Sequence, residues 1–184
     1  MRRLAMVNNK QLDPTHEYHS TEWLKDFYFK TTGKNIDLYK TQYKPVHDFM
    51  FIWNIFERDI LNKGSNGRIN HHEDDIFTFA KDIIQDQNHI NAFFDFLQKT
   101  YTNPHDGELR FEHLELGSKK EIIKRMLNDT PSLEEKNQVC LMIAWRYRNN
   151  LFHGNKVLSD IIEQINLFEN VNEYLISYIE AKNY

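Results

Sequence analysis

The chain has 184 residues, 40% of them hydrophobic and 14% aromatic, which is one domain by length with ample material for a core. Its formal net charge of −4 excludes attraction of polyanions by the molecule as a whole, so a nucleic-acid contact has to come from a local basic patch. The single cysteine, Cys140 in "VCLMIAW", excludes an internal disulfide framework and suits a reducing compartment. No run of about eighteen apolar residues occurs and no apolar stretch follows the arginines of "MRRLAMVNNKQ", so the expected location is the cytoplasm, without membrane association.

In chain order, residues 1–40 show no sustained period and are expected to form an irregular or partly helical extension packing on a helical domain of residues 41–184. "THEYH", His16 to His19, lacks the spacing of a helical zinc motif. From Pro45, a favourable first-turn residue, Val46, Phe49, Met50, Trp53, Phe56 and Ile60 recur at helical spacing, and Glu57 interrupts that apolar stripe. "NKGSNGRIN" reads as a loop. After "HHEDD" a second helical stretch carries Ile76, Phe79, Ala80, Ile83, Ile90, Phe94, Leu97 and Tyr101, with a break expected near Gln87. The acidic residues of "HHEDD" are ordinary at a helix start, and consecutive residues rarely converge on one metal ion.

"TNPHDGELRFEHLELGSKK" is the least helical part of the second half; Leu109 and Phe111 alternate with polar neighbours, which suggests a short irregular or hairpin insertion. Ser132 and Glu135, after Pro131, have capping-box spacing and start a third long helix. That helix runs through "VCLMIAW" into "RYRNNLFHG", where Gly154 suits the left-handed position that ends a helix and Asn155 can cap the next. The next helix keeps period from Leu158 to Tyr178. The expected fold is all-α, an up-and-down bundle of four to five long helices.

The end of the third helix carries the chemistry. Leu141, Trp145, Arg148 and Phe152 share one stripe, so Arg148 stands where an apolar residue would be normal and needs a packed carboxylate, a subunit interface or an anionic ligand. Glu57 is the candidate carboxylate. Arg146, Asn149, Asn150 and His153 form a polar face on which Asn149 could orient the His153 ring. Arg148 and His153 would point about 140° apart on a regular helix, so either the helix ends early or a second copy completes the site across a two-fold interface. From Lys136 to Ser159 the charged residues are Lys136, Arg146, Arg148 and Lys156, all basic, and "GSKKEIIKRM" adds Lys119, Lys120, Lys124 and Arg125. Arginine suits bidentate phosphate contact, and a histidine titrating near neutrality suits proton transfer. With RNA the nucleophile, the 2′-hydroxyl, is already in the substrate, and neither a metal nor a cofactor is called for.

"RNNLFHG", Arg148 to Gly154, resembles the Arg-x4-6-His signature of HEPN domains, and "FIWNIFERDI" is similar to the first helix of such domains. The "RNxxFHG" form is similar to the Apea-like and abortive-infection groups of that family. The resemblance covers about Pro45 to the C-terminus and implies a metal-independent endoribonuclease leaving 2′,3′-cyclic phosphate and 5′-hydroxyl ends, in a toxin or antiphage defence role. It further implies a homodimer through the motif-bearing helices and an antitoxin or defence-system partner. Arg148, His153 and Asn149 would be catalytic, Arg146, Asn150 and Lys156 would hold RNA, tRNA among the candidates, and Glu57 and Gly154 would support the corner. Asn155 stands where the type controlled by nucleotidylation has a tyrosine, so that control is not expected. Arg146 also has permitted spacing to His153, and the residues alone leave open which arginine is catalytic. The rival readings are a non-catalytic HEPN-like dimerisation module and, from the pairs His47-Asp48 and His105-Asp106, an HD-type metal phosphohydrolase.

Overall fold

The computed structural model describes residues 29–30, 43–61, 73–82, 87–152 and 164–183. The chain divides into units Met1–Thr41 and Gln42–Tyr184, and of the first only Phe29 and Lys30 are among the described residues. The second unit is an all-α helical bundle, with no strand among the described residues.

Helix α1, Lys44–Phe56, begins with Pro45 in its first turn and buries Val46, Phe49, Trp53 and Phe56, as the apolar spacing requires. It continues into one wider π-helical turn, Glu57–Leu61, which buries Ile60 and Leu61. Helices α2, Glu73–Asp82, and α3, Gln87–Tyr101, divide the second periodic stretch on either side of residues 83–86. The stretch expected to be irregular or a hairpin, which ends at Lys120, instead holds helix α4, Gly107–Glu112, and one 3-10 turn, Gly117–Lys119, and leads directly into helix α5, Lys120–Asn128. The alternation of Leu109 and Phe111 was misleading, because Phe111 and Leu114 face the core one helical turn apart while Leu109 is 61% exposed. Gly107 allows α4 to start directly against the end of α3: a Cβ there would lie 2.7 Å from the Tyr101 carbonyl oxygen.

Helix α6, Leu133–Phe152, is the axis of the bundle, packed on α2, α3 and α5. The expected capping box is present: the Ser132 N–H donates to Glu135 Oε2 at 2.8 Å and the Glu135 N–H to Ser132 Oγ at 3.3 Å. Those bonds hold the Glu135 carboxyl below its ordinary range. Every residue from Asn137 to Trp145 is buried, so this helix is enclosed on all sides over its middle. Its buried amides are answered by neighbours. Asn137 Nδ2 donates to the Ala80 carbonyl at 2.8 Å and to Tyr178 Oη at 2.6 Å, and the Tyr174 hydroxyl donates to Asn137 Oδ1 at 2.8 Å. Gln138 donates to the Phe77 carbonyl at 3.0 Å.

Helix α7, Ile165–Asn183, lies against α1 and α3. Edge-to-face rings join it to α1, Phe49 with Phe168 at 5.2 Å and Phe56 with Tyr178 at 5.4 Å, and Phe93 of α3 lies 5.1 Å from Tyr174. Phe93 and Phe94 of "NAFFDFLQK" are both buried, which gives them a core role.

Burial pushes the Tyr147 and Tyr178 phenols from 10.0 up to about 12. A raised value in the folded chain means that the fold favours the neutral phenol. That stabilisation is complete below the unfolded value of 10.0 and is lost as pH rises toward about 12. Stability measured by urea denaturation should therefore fall steeply above pH 10, with tyrosinate absorbance from these residues appearing together with unfolding. Tyrosinate formation for all nine tyrosines before loss of helix signal would contradict this.

Candidate functional site

The described part of the motif, residues 146–152, lies on the last turns of α6, where the enclosed middle of the helix gives way to partly exposed residues. Leu141 and Trp145 are buried and Arg148 continues their stripe, as the spacing requires. The answering carboxylate is Glu57. Arg148 Nη2 lies 3.6 Å from Glu57 Oε2, with the two side chains 28% and 25% exposed. Glu57 is itself fixed: the Trp53 indole N–H donates to its Oε2 at 2.8 Å from one turn earlier in α1. On the other side, Arg148 Nη1 donates to Asn149 Oδ1 at 3.1 Å. The guanidinium is thus held by a carboxylate from the turn that follows α1 and an amide from its own helix, and is partly exposed to solvent.

Arg146 is differently employed. Its Nε donates to the Leu114 carbonyl at 2.7 Å, and its Nη2 stands 3.4 Å from the Glu115 carboxylate, leaving the side chain 17% exposed. Asn150, one turn on, is 3% exposed, and its Nδ2 reaches the His113 carbonyl at 3.5 Å while its buried Oδ1 meets no hydrogen-bond partner among the described residues. The structure therefore brings Arg148, Asn149 and Glu57 together at one place, and directs Arg146 and Asn150 toward the turn that follows α4. His153, Gly154 and Lys156 lie outside the described residues, as do His71 and His72 of "HHEDD" and the histidines of "THEYH". Two participants carried no sequence signal of their own: Trp53, which reads as core, and Glu115, which contacts α6 from 31 residues away.

The wider basic field expected around the corner is largely absorbed locally. Lys119 pairs with Asp74, Lys120 with Glu112 at 2.6 Å, and Lys124 with Glu108 at 2.5 Å. Lys136 donates to Asn91 at 2.8 Å and lies over the Phe94 ring, some 18 Å along the helix from Arg148. The case for an anion at the corner rests on Arg148 and its neighbours, not on a positive surface. Glu73 and Asp74, two of the three acidic residues of "HHEDD", bind the Lys119 N–H at 2.8 Å and the Lys119 ammonium, which gives them a structural role at the start of α2. In the two His-Asp pairs, Asp48 is bonded to Lys44 and Asp106 to Arg110. The groove between α1 and α7, about 400 Å³, is lined among the described residues by Asp48, Glu169 and Glu173, three carboxylates that do not suit phosphate. Among the described residues no helix is long and apolar enough to cross a membrane.

No family model, no curated protein sequence and no solved structure matches the chain.

The Glu57–Arg148 pair is partly screened, so its worth is modest. A double-mutant cycle with Glu57→Gln and Arg148→Gln should give a coupling energy of about 0.5–1.5 kcal/mol in urea denaturation, smaller at high salt. Additive losses, with no coupling, would mean that the two side chains do not interact in solution.

Proposed function

We propose that the chain is a metal-independent endoribonuclease of HEPN type, acting on RNA as a homodimer in a toxin or antiphage defence role. The observation that carries this reading is the placement of Arg148: a solvent-reachable guanidinium at the end of the axial helix, oriented from two sides by Glu57 and Asn149. An arginine fixed in direction before substrate arrives can stabilise the extra negative charge of a pentacoordinate phosphorane without reorganising at the moment of reaction. His153, five residues on, is the proton-transfer group. It takes the proton from the 2′-hydroxyl as the 2′-oxygen forms its bond to phosphorus, and it supplies a proton to the 5′-oxygen as the P–O5′ bond breaks. The products are a 2′,3′-cyclic phosphate and a 5′-hydroxyl. Asn149 follows Arg148 directly and precedes His153 by four residues: its side-chain carbonyl receives Arg148, and its amide donors would orient His153.

A second reading has an observation of its own. The same Glu57 contact is what a purely structural ion pair would make, and a non-catalytic dimerisation module would keep it for packing at the corner. The two readings part on activity. Purified full-length protein, incubated with a mixed RNA pool containing tRNA in excess chelator, should cleave. His153→Ala and Arg148→Ala should each lower the rate by about a hundredfold or more while retaining the helical spectrum. Equal cleavage by wild type and both variants, or cleavage abolished by chelator, would overturn the ribonuclease reading, and a folded, inactive wild-type dimer would favour the module.

A further inference from the structure

The turn 113–119, between α4 and α5, is built under strain and fastened at two places. Leu114 and Leu116 are each 1% exposed, so alternate residues are driven into the core. Between them Glu115 adopts φ +53°, a left-handed conformation that costs a non-glycine residue roughly 1 kcal/mol. Gly117 follows at φ +55°, where a Cβ would also lie 2.6 Å from Glu73 Oε2. At one end the start of α2 holds the turn, through Glu73 accepting the Lys119 N–H at 2.8 Å and Asp74 pairing with the Lys119 ammonium. At the other end α6 holds it, through Arg146 Nε on the Leu114 carbonyl, Arg146 Nη2 beside the Glu115 carboxylate, and Asn150 at the limit of hydrogen-bond distance from the His113 carbonyl.

We propose that Arg146 is a positioning residue and not a phosphate ligand: with Asn150 it clamps the turn 113–119 to the last turns of α6 and thereby sets the direction in which Arg148 is presented. The edge of the guanidinium formed by Nε and Nη2, which a phosphate would use for a two-point contact, is occupied by the Leu114 carbonyl and faced by the Glu115 carboxylate. A phosphate entering there would meet that carboxylate. Arg146 and Asn150 lie about 40° apart on the helix, whereas Arg148 is about 200° from Arg146, on the opposed face. A helix end, whose last carbonyls lack intrahelical partners, tends to fray. Here it is gripped from opposed sides, by the turn through Arg146 and by α1 through Arg148 and Glu57. The strained backbone of Glu115 persists because these contacts over-determine it.

The consequence in catalysis rests on the ribonuclease reading, while the consequence for the turn itself stands on the clamp geometry alone, and the experiment separates them. Full-length wild type, Arg146→Ala, Arg146→Lys and Glu115→Gln are compared in RNA cleavage and in amide hydrogen exchange. A loosened Arg148 lowers kcat of Arg146→Ala by about tenfold with KM within about twofold and an unchanged salt dependence of KM. Arg146→Lys should fall nearly as far, because an ammonium keeps the charge and loses the two-point hold. A raised KM, a salt slope reduced by about one, and near-normal Arg146→Lys would instead make Arg146 a phosphate ligand and overturn the proposal. Amides of residues 114–119 should exchange about tenfold faster in both Arg146 variants and measurably faster in Glu115→Gln, which alters the partner and leaves α6 intact. Unchanged exchange there would overturn the clamp. If wild type cleaves no RNA, the ribonuclease reading fails and the exchange rates alone decide the clamp.

Discussion

Helix α6 is enclosed from Asn137 to Trp145, and from that enclosure the rest of the molecule follows. A helix buried on all sides can carry polar groups only where another element answers them, since an unanswered buried amide costs about 1–3 kcal/mol. Thus Asn137 is met by Ala80, Tyr174 and Tyr178, and Gln138 by Phe77, which fixes α2 and α7 against the axis. The same constraint governs the exit of the helix. Arg148 leaves the apolar stripe at a point where Glu57 can reach it, Arg146 leaves on the opposed side where a strained turn offers a carbonyl and a carboxylate, and the helix end is defined in direction by both.

The π-helical turn belongs to this arrangement. Glu57 opens it, with its backbone N–H bonded to the Asn54 and Trp53 carbonyls, and its side chain accepts the Trp53 indole N–H. A carboxylate anchored by an indole is a directional partner, and a directional partner orients an arginine better than a mobile surface acid would. In the proposed function, partial exposure would let an anionic substrate compete with Glu57 for Arg148, where a fully buried pair would not.

Much of the helical organisation was legible in the sequence because it follows from local rules. The capping box at Ser132 and Glu135, the first-turn Pro45 and the apolar spacing of α1 are all present as expected. So was the misplaced arginine, together with its partner: Arg148 on an apolar stripe and Glu57 interrupting another are each anomalies, and two anomalies of opposite charge in one core find one another. The segment between α3 and α6 was not legible, since helices as short as α4 have too few residues to show a period, and alternation at Leu109 and Phe111 imitates a strand. Nor were the partners of the basic residues. Lys120 and Glu112, and Lys124 and Glu108, are brought together by the packing of α4 and α5, and Arg146 and Glu115 by the turn 113–119 meeting α6, while nothing local distinguishes a basic residue destined for a carboxylate from one facing solvent. Counting positive charges along the chain therefore overstated the attraction of this surface for an anion.

The proposed function draws on the oriented guanidinium of Arg148 and the neighbouring Asn149 amide among the described residues, with His153 five residues on in the sequence. In the proposed ribonuclease that set would move the proton and stabilise charge on phosphorus, with the nucleophile taken from the substrate. The most direct test is to place a single 2′-deoxy nucleotide on the 5′ side of the mapped cleavage position in an otherwise unchanged RNA and to identify the ends produced from the unmodified strand. The unmodified RNA should yield 2′,3′-cyclic phosphate and 5′-hydroxyl ends, with no cleavage at the substituted position. Continued cleavage at the deoxy position, or 3′-hydroxyl and 5′-phosphate ends, would show that an external nucleophile attacks phosphorus and would contradict the proposed mechanism.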